Sequence, residues 1–367
     1  MIEGIYLFLT ALDSLRQPEG SGGRCLTSAA FSMTASCPRA YWKVDISRAL
    51  GRDTQAVTAP AQTPGMSDVT AMARGQVAAS RSDPQEVAEH VAAGGSPFDY
   101  VEPPDWFSFS AFDMFERCPR QYALRYLCRL EEKQTRPAAD FGSAAHAAFE
   151  QFTRERRERS ASDEAPPDRE DLGRFFEAAW ARSPLSGEVD AVAWRARAQP
   201  MLDRFWAAES AEPVGAIDTV CEEARFRLCL ELDPENQVAV SGFIDRIDRL
   251  PSGSVELIDY KTGDVWRPED VESSLQLSIY ALGCRDALGL GRPERVTLDF
   301  VEHGRRFSAE RTDAALDGVR QGLVLRAREI RGSGFAPTPG SRACGWCEFA
   351  PICSAGERQT CERPLGE

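Results

Sequence analysis

The stretch that most constrains this fold runs from Val238 to Gly263 and reads VAVSGFIDRIDRLPSGSVELIDYKTG. Apolar residues recur at every second position in parts of it, as in Val238 and Val240 before the turn and Val255 and Leu257 after it. The turn itself is Pro-Ser-Gly-Ser, residues 251–254. Two alternating runs separated by turn residues indicate a β-hairpin. We therefore expect a β-sheet at the centre of the domain.

The second strand of this hairpin ends in a charged pair. Successive strand side chains point to opposite faces, so Asp259 and Lys261 share one face, roughly 7 Å apart along the strand. Asp245 on the partner strand reaches the same face if the register is right. Two carboxylates can hold a hard divalent cation, and a neighbouring ammonium can orient or deprotonate a water during phosphodiester attack. A surface hairpin with an ordinary Asp–Lys pair is the alternative at this point.

Three further features favour a catalytic site. Lysine is rare, with Lys43, Lys133 and Lys261 the three lysines among 43 Lys and Arg residues. A lysine kept where arginine is the default suggests a compact ammonium with a tunable pKa. Gln276 and Tyr280 lie four residues apart in a predicted helix and therefore share a face. An isolated histidine, in FGSAAHAAFE, lies upstream.

In this order, GFIDRID, IDYKTG and QLSIY with an upstream G-x-x-x-H resemble the RecB-type nuclease domain of the PD-(D/E)xK superfamily. The resemblance is greatest to the version fused to or partnered with UvrD-like helicases, and it spans about Phe107 to Ser354. It implies an α/β fold with a restriction-endonuclease-like core, a four- or five-stranded mixed sheet flanked by helices. Helical insertions and a cysteine-bound C-terminal loop are expected in addition.

The resemblance also implies roles for individual residues. Asp245 and Asp259 correspond to the metal-binding aspartates, and Lys261 to the active-site lysine. His146 would be an additional metal ligand, although a lone helix histidine is more often a core residue. Gln276 and Tyr280 match the motif that contacts substrate or orients the site. Asp248 has the opposite strand parity to Asp245, so we expect it to be solvated or ion-paired.

A cysteine pattern forms a second candidate site. Cys344 and Cys347 are separated by two residues and followed by Cys353, but three ligands leave a four-coordinate site incomplete. Thiolates alone suit zinc or an iron–sulfur cluster. The resemblance supplies Cys118 as the fourth ligand and favours a 4Fe-4S cluster. Cys361 or Cys37 is the alternative fourth ligand.

Composition limits the domain organisation and the setting. Residues 51–96 are rich in Ala, Ser, Thr, Gly and Pro, so we predict a weakly ordered extension over residues 1–100 and a nuclease domain over residues 101–367. No run approaches the ~20 apolar residues of a membrane span. The apolar start of the chain contains Glu3 where a signal peptide needs basic residues, so we expect a cytoplasmic protein.

The net charge of −14 argues against a nonspecific DNA-coating role, because affinity for polyanions comes mainly from neutralising phosphates. No G-x-x-x-x-G-K-S/T sequence is present, so these residues include no P-loop motor. The expected reaction is hydrolysis of DNA phosphodiesters by magnesium (or manganese), as an exonuclease in repair or recombination, with a possible separate helicase partner. The alternatives are a catalytically silent, cluster-stabilised DNA-binding subunit and a zinc-stabilised interaction protein.

Overall fold

The structure is a computed structural model, and it describes residues 104–130, 137–187, 191–211, 218–340, 342–345, 347–350, 353 and 355. The extension predicted over residues 1–100 lies outside this part of the chain, as do Cys37 and Cys361. No helix among the described residues combines the length and the apolar composition that crossing a bilayer requires.

The described residues form one mixed sheet of six strands, which are β1 Trp106–Phe107, β2 Asp218–Asp233, β3 Asn236–Arg249, β4 Val255–Lys261, β5 Arg295–Phe300 and β6 Arg305–Ala309. The strand order is β1-β3-β4-β5-β6, and β2 also pairs with β3. Parallel pairing joins β1 to β3 and β4 to β5, whereas the other pairs are antiparallel. The mixed α/β fold is therefore confirmed, with one strand more than the expected four or five, because the two-residue β1 adds to the sheet.

Helices cover both faces of the sheet. They are α1 Phe109–Arg117, α2 Pro119–Tyr122, α3 Pro137–Ala161, α4 Arg169–Trp180, α5 Ala191–Ala211, α6 Pro268–Glu272, α7 Leu275–Leu282, α8 Asp313–Arg331 and α9 Arg342–Gly345. Single π-helical turns extend α2 over Ala123–Leu127 and α7 over Gly283–Ala287.

The central hairpin forms as the sequence predicts. Its two strands, β3 and β4, pair in antiparallel register with Ile247 opposite Leu257. The turn closes through a hydrogen bond from the Leu250 amide to the Ser254 carbonyl, and Gly253 takes the left-handed φ of +85° that favours glycine. This hairpin fixes which residues of β3 and β4 face each other.

Strand β4 lies between two hydrophobic cores. One core packs β2, β3 and β5 against α1, α7 and α8, and includes Leu257. The other packs α3, α4 and α5 against Ile258 and Tyr260. Every residue of β4 before Lys261 is buried, so its Asp259 is enclosed by the two layers and its last residue emerges at the end of the strand.

Candidate active site

Asp259 and Lys261 meet at the end of β4. The Nζ atom of Lys261 lies 2.8 Å from Asp259 Oδ2, as the alternation of strand side chains requires. Asp259 is buried at 3% exposure, whereas 24% of the Lys261 side chain remains accessible. The Lys261 ammonium is therefore accessible to a substrate, and the buried Asp259 carboxylate fixes its position.

Gln276 joins this pair to the following helix. Helix α7 begins after Ser274, whose hydroxyl caps it by accepting a hydrogen bond from the Leu277 amide. The Gln276 amide nitrogen donates to Asp259 Oδ1 at 3.2 Å and to the Tyr280 hydroxyl at 2.8 Å. Its carbonyl oxygen accepts from Lys261 Nζ at 3.1 Å. One side chain thus orients the carboxylate, the ammonium and the phenol together.

Asp245 lies beside Asp259 where two strands separate. The last pair of the β3–β4 ladder is Arg246 with Ile258. Asp245 and Asp259 are the next residues beyond that pair, one on each strand. The amide of Tyr260 donates to Asp245 Oδ2 at 2.7 Å. A strand amide that would otherwise extend the ladder therefore fixes this carboxylate in the site.

His146 reaches the same carboxylate from α3. Its Nδ1 atom lies 3.3 Å from Asp245 Oδ2. One turn earlier on the helix, a Cβ atom on Gly142 would lie 3.0 Å from Thr262 Oγ1, which is tighter than ordinary contact. Glycine at this position therefore lets α3 approach the chain just beyond Lys261. The G-x-x-x-H spacing has a packing reason as well as a chemical one.

Glu223 is a site residue that the sequence analysis missed. Its carboxylate joins His146 and Asp245 in a group whose donor atoms all lie within 4.8 Å of one another. The backbone of Glu223 has a φ of +47°, a left-handed conformation that is costly for a residue with a side chain. The adjacent Glu222 instead pairs with Arg157 at 3.0 Å. The strained backbone thus directs Glu223 toward His146 and Asp245, while Glu222 forms an ion pair with Arg157.

Burial and like charges perturb the ionisation of the site. Burial raises the pKa of Asp259, and Asp245 raises it further against the lowering effect of Lys261. Burial together with Asp245 raises the pKa of Glu223 to about 7. For His146, burial lowers the pKa, but Asp245 outweighs it and the result is a pKa of about 9. The carboxylates therefore repel one another, and a bound cation would relieve that repulsion.

The donor set fits a divalent metal ion. Carboxylate oxygens with one imidazole nitrogen suit magnesium and manganese. Oδ2 of Asp259 is buried and lies 2.8 Å from Lys261 Nζ, whose charge partly balances that of the carboxylate. Asp245 adds a second negative charge close by. A divalent ion held by both carboxylates would neutralise the charge that remains.

Tyr280 contacts the site through Gln276, whereas Asp248 is held by residues outside it. Burial raises the pKa of Tyr280 well above its ordinary value, so it is a neutral phenol that accepts from Gln276. Asp248 points away and accepts from Arg246 at 2.7 Å and from Thr219 at 2.8 Å. It is ion-paired and buried, rather than solvated.

The four predicted cysteine ligands line one pocket. Cys118 caps α1 in an extended conformation just before Pro119 starts α2, and it meets Cys344, Cys347 and Cys353 from the end of the described chain. The Gln121 side chain donates to Glu348 at 2.9 Å and so ties the two segments together. Burial raises the pKa of Cys347 to about 11, and the neighbouring Glu348 raises it further.

Comparison with known proteins identifies the family. Residues 106–354 match the model of the PD-(D/E)XK nuclease superfamily, which is more than half of the chain. Among solved structures, that of SSO0001 is similar at 13% sequence identity, over 74% of this chain and 93% of its own, with a TM-score of 0.32.

Proposed function

This chain belongs to the PD-(D/E)XK nuclease superfamily, and we propose that it is a magnesium-dependent deoxyribonuclease, with manganese as a substitute metal. The observation that carries the proposal is the convergence of Asp259, Lys261 and Gln276 through contacts of 2.8–3.2 Å. These residues adjoin the group of His146, Glu223 and Asp245. A purely structural ion pair would not need two further acidic side chains whose charges oppose it.

Four side chains would hold the metal in this proposal, and they are His146, Glu223, Asp245 and Asp259. When bound, the divalent ion would activate water and neutralise charge on the scissile phosphate. The Tyr260 amide keeps Asp245 oriented. The sheet and the two cores exclude water from behind Asp259, which strengthens its interactions with any cation.

Lys261 would act on the attacking water. Its side chain lies at the accessible end of β4, where the ammonium can orient the water and stabilise charge on the phosphate. As the neutral amine, formed by giving one proton to solvent, it can accept the proton of the attacking water. Gln276 fixes the amine through its carbonyl oxygen. Tyr280 in turn holds the other end of the Gln276 amide and stays protonated.

For the cysteine pocket we propose a 4Fe-4S cluster bound by Cys118, Cys344, Cys347 and Cys353. Support for a shared site is that all four cysteines line one pocket. The preference for an iron–sulfur cluster over zinc comes from the family that the motifs resemble, because thiolates alone suit either.

The biological setting that we propose is exonucleolytic DNA processing in repair or recombination in the cytoplasm, alongside a UvrD-like helicase. Support for this setting is the ordered set of motifs in the sequence. We also propose that residues 101–367 form the nuclease domain and that residues 1–100 form an extension to it, on the ground of composition.

End-labelled DNA tests the proposed function directly. Protein purified without oxygen is incubated with end-labelled single-stranded and duplex DNA, with magnesium, with manganese or with EDTA. We expect metal-dependent shortening from an end. Tight binding without any cleavage would contradict the proposal and support a silent DNA-binding subunit.

A further inference from the structure

Large apolar side chains that remain exposed in the described chain are few, and two of them flank the candidate active site. Trp266 is 37% exposed and Phe243 is 51% exposed. Both are aromatic and both have a cation over the ring. Aromatic side chains normally bury much of their area. The exposure of Phe243 and Trp266 beside a polar site therefore indicates a surface that binds another molecule.

Phe243 lies on the Asp245 side of the site. It precedes Asp245 by two residues in β3, which places the two side chains roughly 7 Å apart along the strand. The intervening Ile244 is buried in the first core, so Phe243 faces the other side of the sheet, where α3 carries His146. Arg225, opposite Phe243 in β2, holds its guanidinium 5.7 Å from the ring centre.

Trp266 lies on the Lys261 side. It belongs to the connection between β4 and α6, and its ring centre is 5.6 Å from Lys261 Nζ. One neighbour supports the ring from within, because Phe300 of the first core lies 6.3 Å away. Packing against Phe300 therefore holds the indole in place, and its exposed part lies next to the proposed catalytic ammonium.

An aromatic ring with an adjacent cation is a combination that single-stranded nucleic acid recognises. Each base offers a flat π-face for stacking, and each phosphate offers a negative charge for the cation. Stacking of this kind tolerates any sequence, because every base has such a face. A duplex keeps its bases stacked on each other, and so it does not present them to a protein ring.

Resting on the nuclease function proposed above, we propose that Phe243 and Trp266 are base-stacking residues that position the nucleotides on either side of the scissile phosphate. The phosphate would lie between them, at the carboxylates and Lys261. The substrate class that follows is single-stranded DNA, including the unpaired end of a duplex, without sequence preference. Intact duplex would be a poor substrate.

The test compares two single strands with the same backbone charge. One is a fluorescently labelled oligothymidylate, and the other is an abasic strand of equal length. Binding is measured by fluorescence anisotropy with calcium in place of magnesium, since calcium accepts the same oxygen ligands in a less demanding geometry. The variants are Trp266→Ala and Phe243→Ala, with Trp266→Phe and Phe243→Tyr to restore a ring. Leu325→Ala is the matched control, because Leu325 is an exposed apolar residue at 62% exposure on α8.

We expect wild-type protein to prefer the thymidylate strand over the abasic strand. Each alanine variant should weaken thymidylate binding by roughly five- to 150-fold, which corresponds to the loss of one stacked base. The preference over the abasic strand should fall accordingly. The aromatic replacements should recover most of it, and Leu325→Ala should leave it intact.

Two results would overturn the inference. One is equal affinity of the alanine variants and wild type for thymidylate. The other is an equal loss on thymidylate and abasic strands, which would mean that the rings support the fold rather than bind bases.

Cleavage is measured separately, in magnesium. If wild type cleaves DNA while the alanine variants bind as wild type does, the stacking inference is wrong and the nuclease function stands. If wild type cleaves nothing while the base preference is seen, the nuclease function falls instead.

Discussion

Lys261 Nζ and Asp259 Oδ2 lie 2.8 Å apart at the end of β4, with Tyr260 of the same strand turned to the opposite face. Tyr260 belongs to the second hydrophobic core, so this single strand supplies both a packing residue and the charged pair. The pair therefore cannot move without disturbing the core behind it. A rigid position of this kind is what a general base or a metal ligand requires.

Lys261→Ala and Asp259→Ala should each lower the rate of DNA cleavage by about 10²- to 10⁴-fold, the usual cost of removing an acid–base group or a metal ligand. Initial rates on end-labelled DNA in saturating magnesium provide the measurement. Asp248→Ala is the control: it removes a partner of the buried Arg246 and should cost roughly 1–3 kcal/mol of stability. Its cleavage rate below the melting temperature should stay near wild type, and a loss equal to that of Asp259→Ala would mean that the aspartates were assigned wrongly.

Gln276→Ala should lower kcat by roughly 10- to 100-fold with little change in KM, because it loosens groups that act on the water without itself binding the metal. The physical reason is the loss of hydrogen bonds to Asp259, Lys261 and Tyr280. Tyr280→Phe removes one of these bonds and should have the smaller effect. Steady-state kinetics on single-stranded DNA separate kcat from KM, and a change confined to KM would argue that Gln276 contacts substrate instead.

Glu223→Gln should raise the melting temperature in EDTA at pH 8, because the native protein no longer buries a carboxylate whose pKa is raised to about 7. It should also shrink the additional stabilisation that magnesium gives, since a ligand is lost. Thermal melts with and without magnesium measure both effects. Glu222→Gln is the matched control, since it loses the Arg157 ion pair and should retain the magnesium-induced shift. Equal magnesium shifts in wild type and Glu223→Gln would remove Glu223 from the metal site.

Asp299, which lies opposite Tyr260 on the neighbouring strand β5, predicts a pH dependence of stability. Burial raises its pKa to about 6 against the lowering effect of Arg306. The native state therefore holds this proton between about pH 4 and pH 6 while the unfolded state has released it, so the contribution of Asp299 becomes less favourable as pH rises through that window. Asp299→Asn should have little effect near pH 4 and should be stabilising above pH 6, by roughly 1–3 kcal/mol. Urea unfolding at the two pH values checks this, and a pH-independent difference would contradict it.

Cys118→Ser should bleach the protein purified without oxygen and lower its iron content from about four per chain. It should also expose the C-terminal segment to protease, because metal-binding free energy there contributes to folding. Cys229→Ser is the control, since Cys229 is exposed and lies outside the cysteine pocket. Colourless wild-type protein with one zinc would contradict the cluster, and a coloured Cys118→Ser variant would move the fourth ligand to Cys361 or Cys37.

Local geometry explains what could be predicted from the sequence. The pairing of Asp259 with Lys261 follows from strand alternation, and that of Gln276 with Tyr280 follows from the helical repeat. Both depend on backbone conformation over five residues or fewer, which periodicity reports directly. The hairpin register was equally accessible, because the turn at 251–254 is short and rich in turn residues.

Glu223 was missed because its place in the site depends on an irregular strand register. Arg225 pairs with Phe243 and Glu222 with Arg246, so counting back along the β2–β3 hairpin places Glu223 opposite Asp245. From the turn itself the count fails, because a bulge between Glu231 and Asp233 shifts the register by one residue. Asp233 pairs with Asn236, and counting on from that pair would place Glu223 opposite Arg246 instead. The choice between two consecutive glutamates needed more than counting.

The sequence by itself determined the central hairpin and the Asp–Lys pair, because both follow from contacts between near neighbours in the chain. The fold class came from the ordered set of motifs and the family that they resemble. Only the tertiary structure decided which side chains of separate elements meet. His146 reaches Asp245 because Gly142 lets α3 pack closely beside Thr262. Glu223 joins them because a left-handed backbone turns it away from Glu222 and Arg157. Such meetings depend on packing distances and register between elements far apart in sequence, which no local pattern of residues encodes.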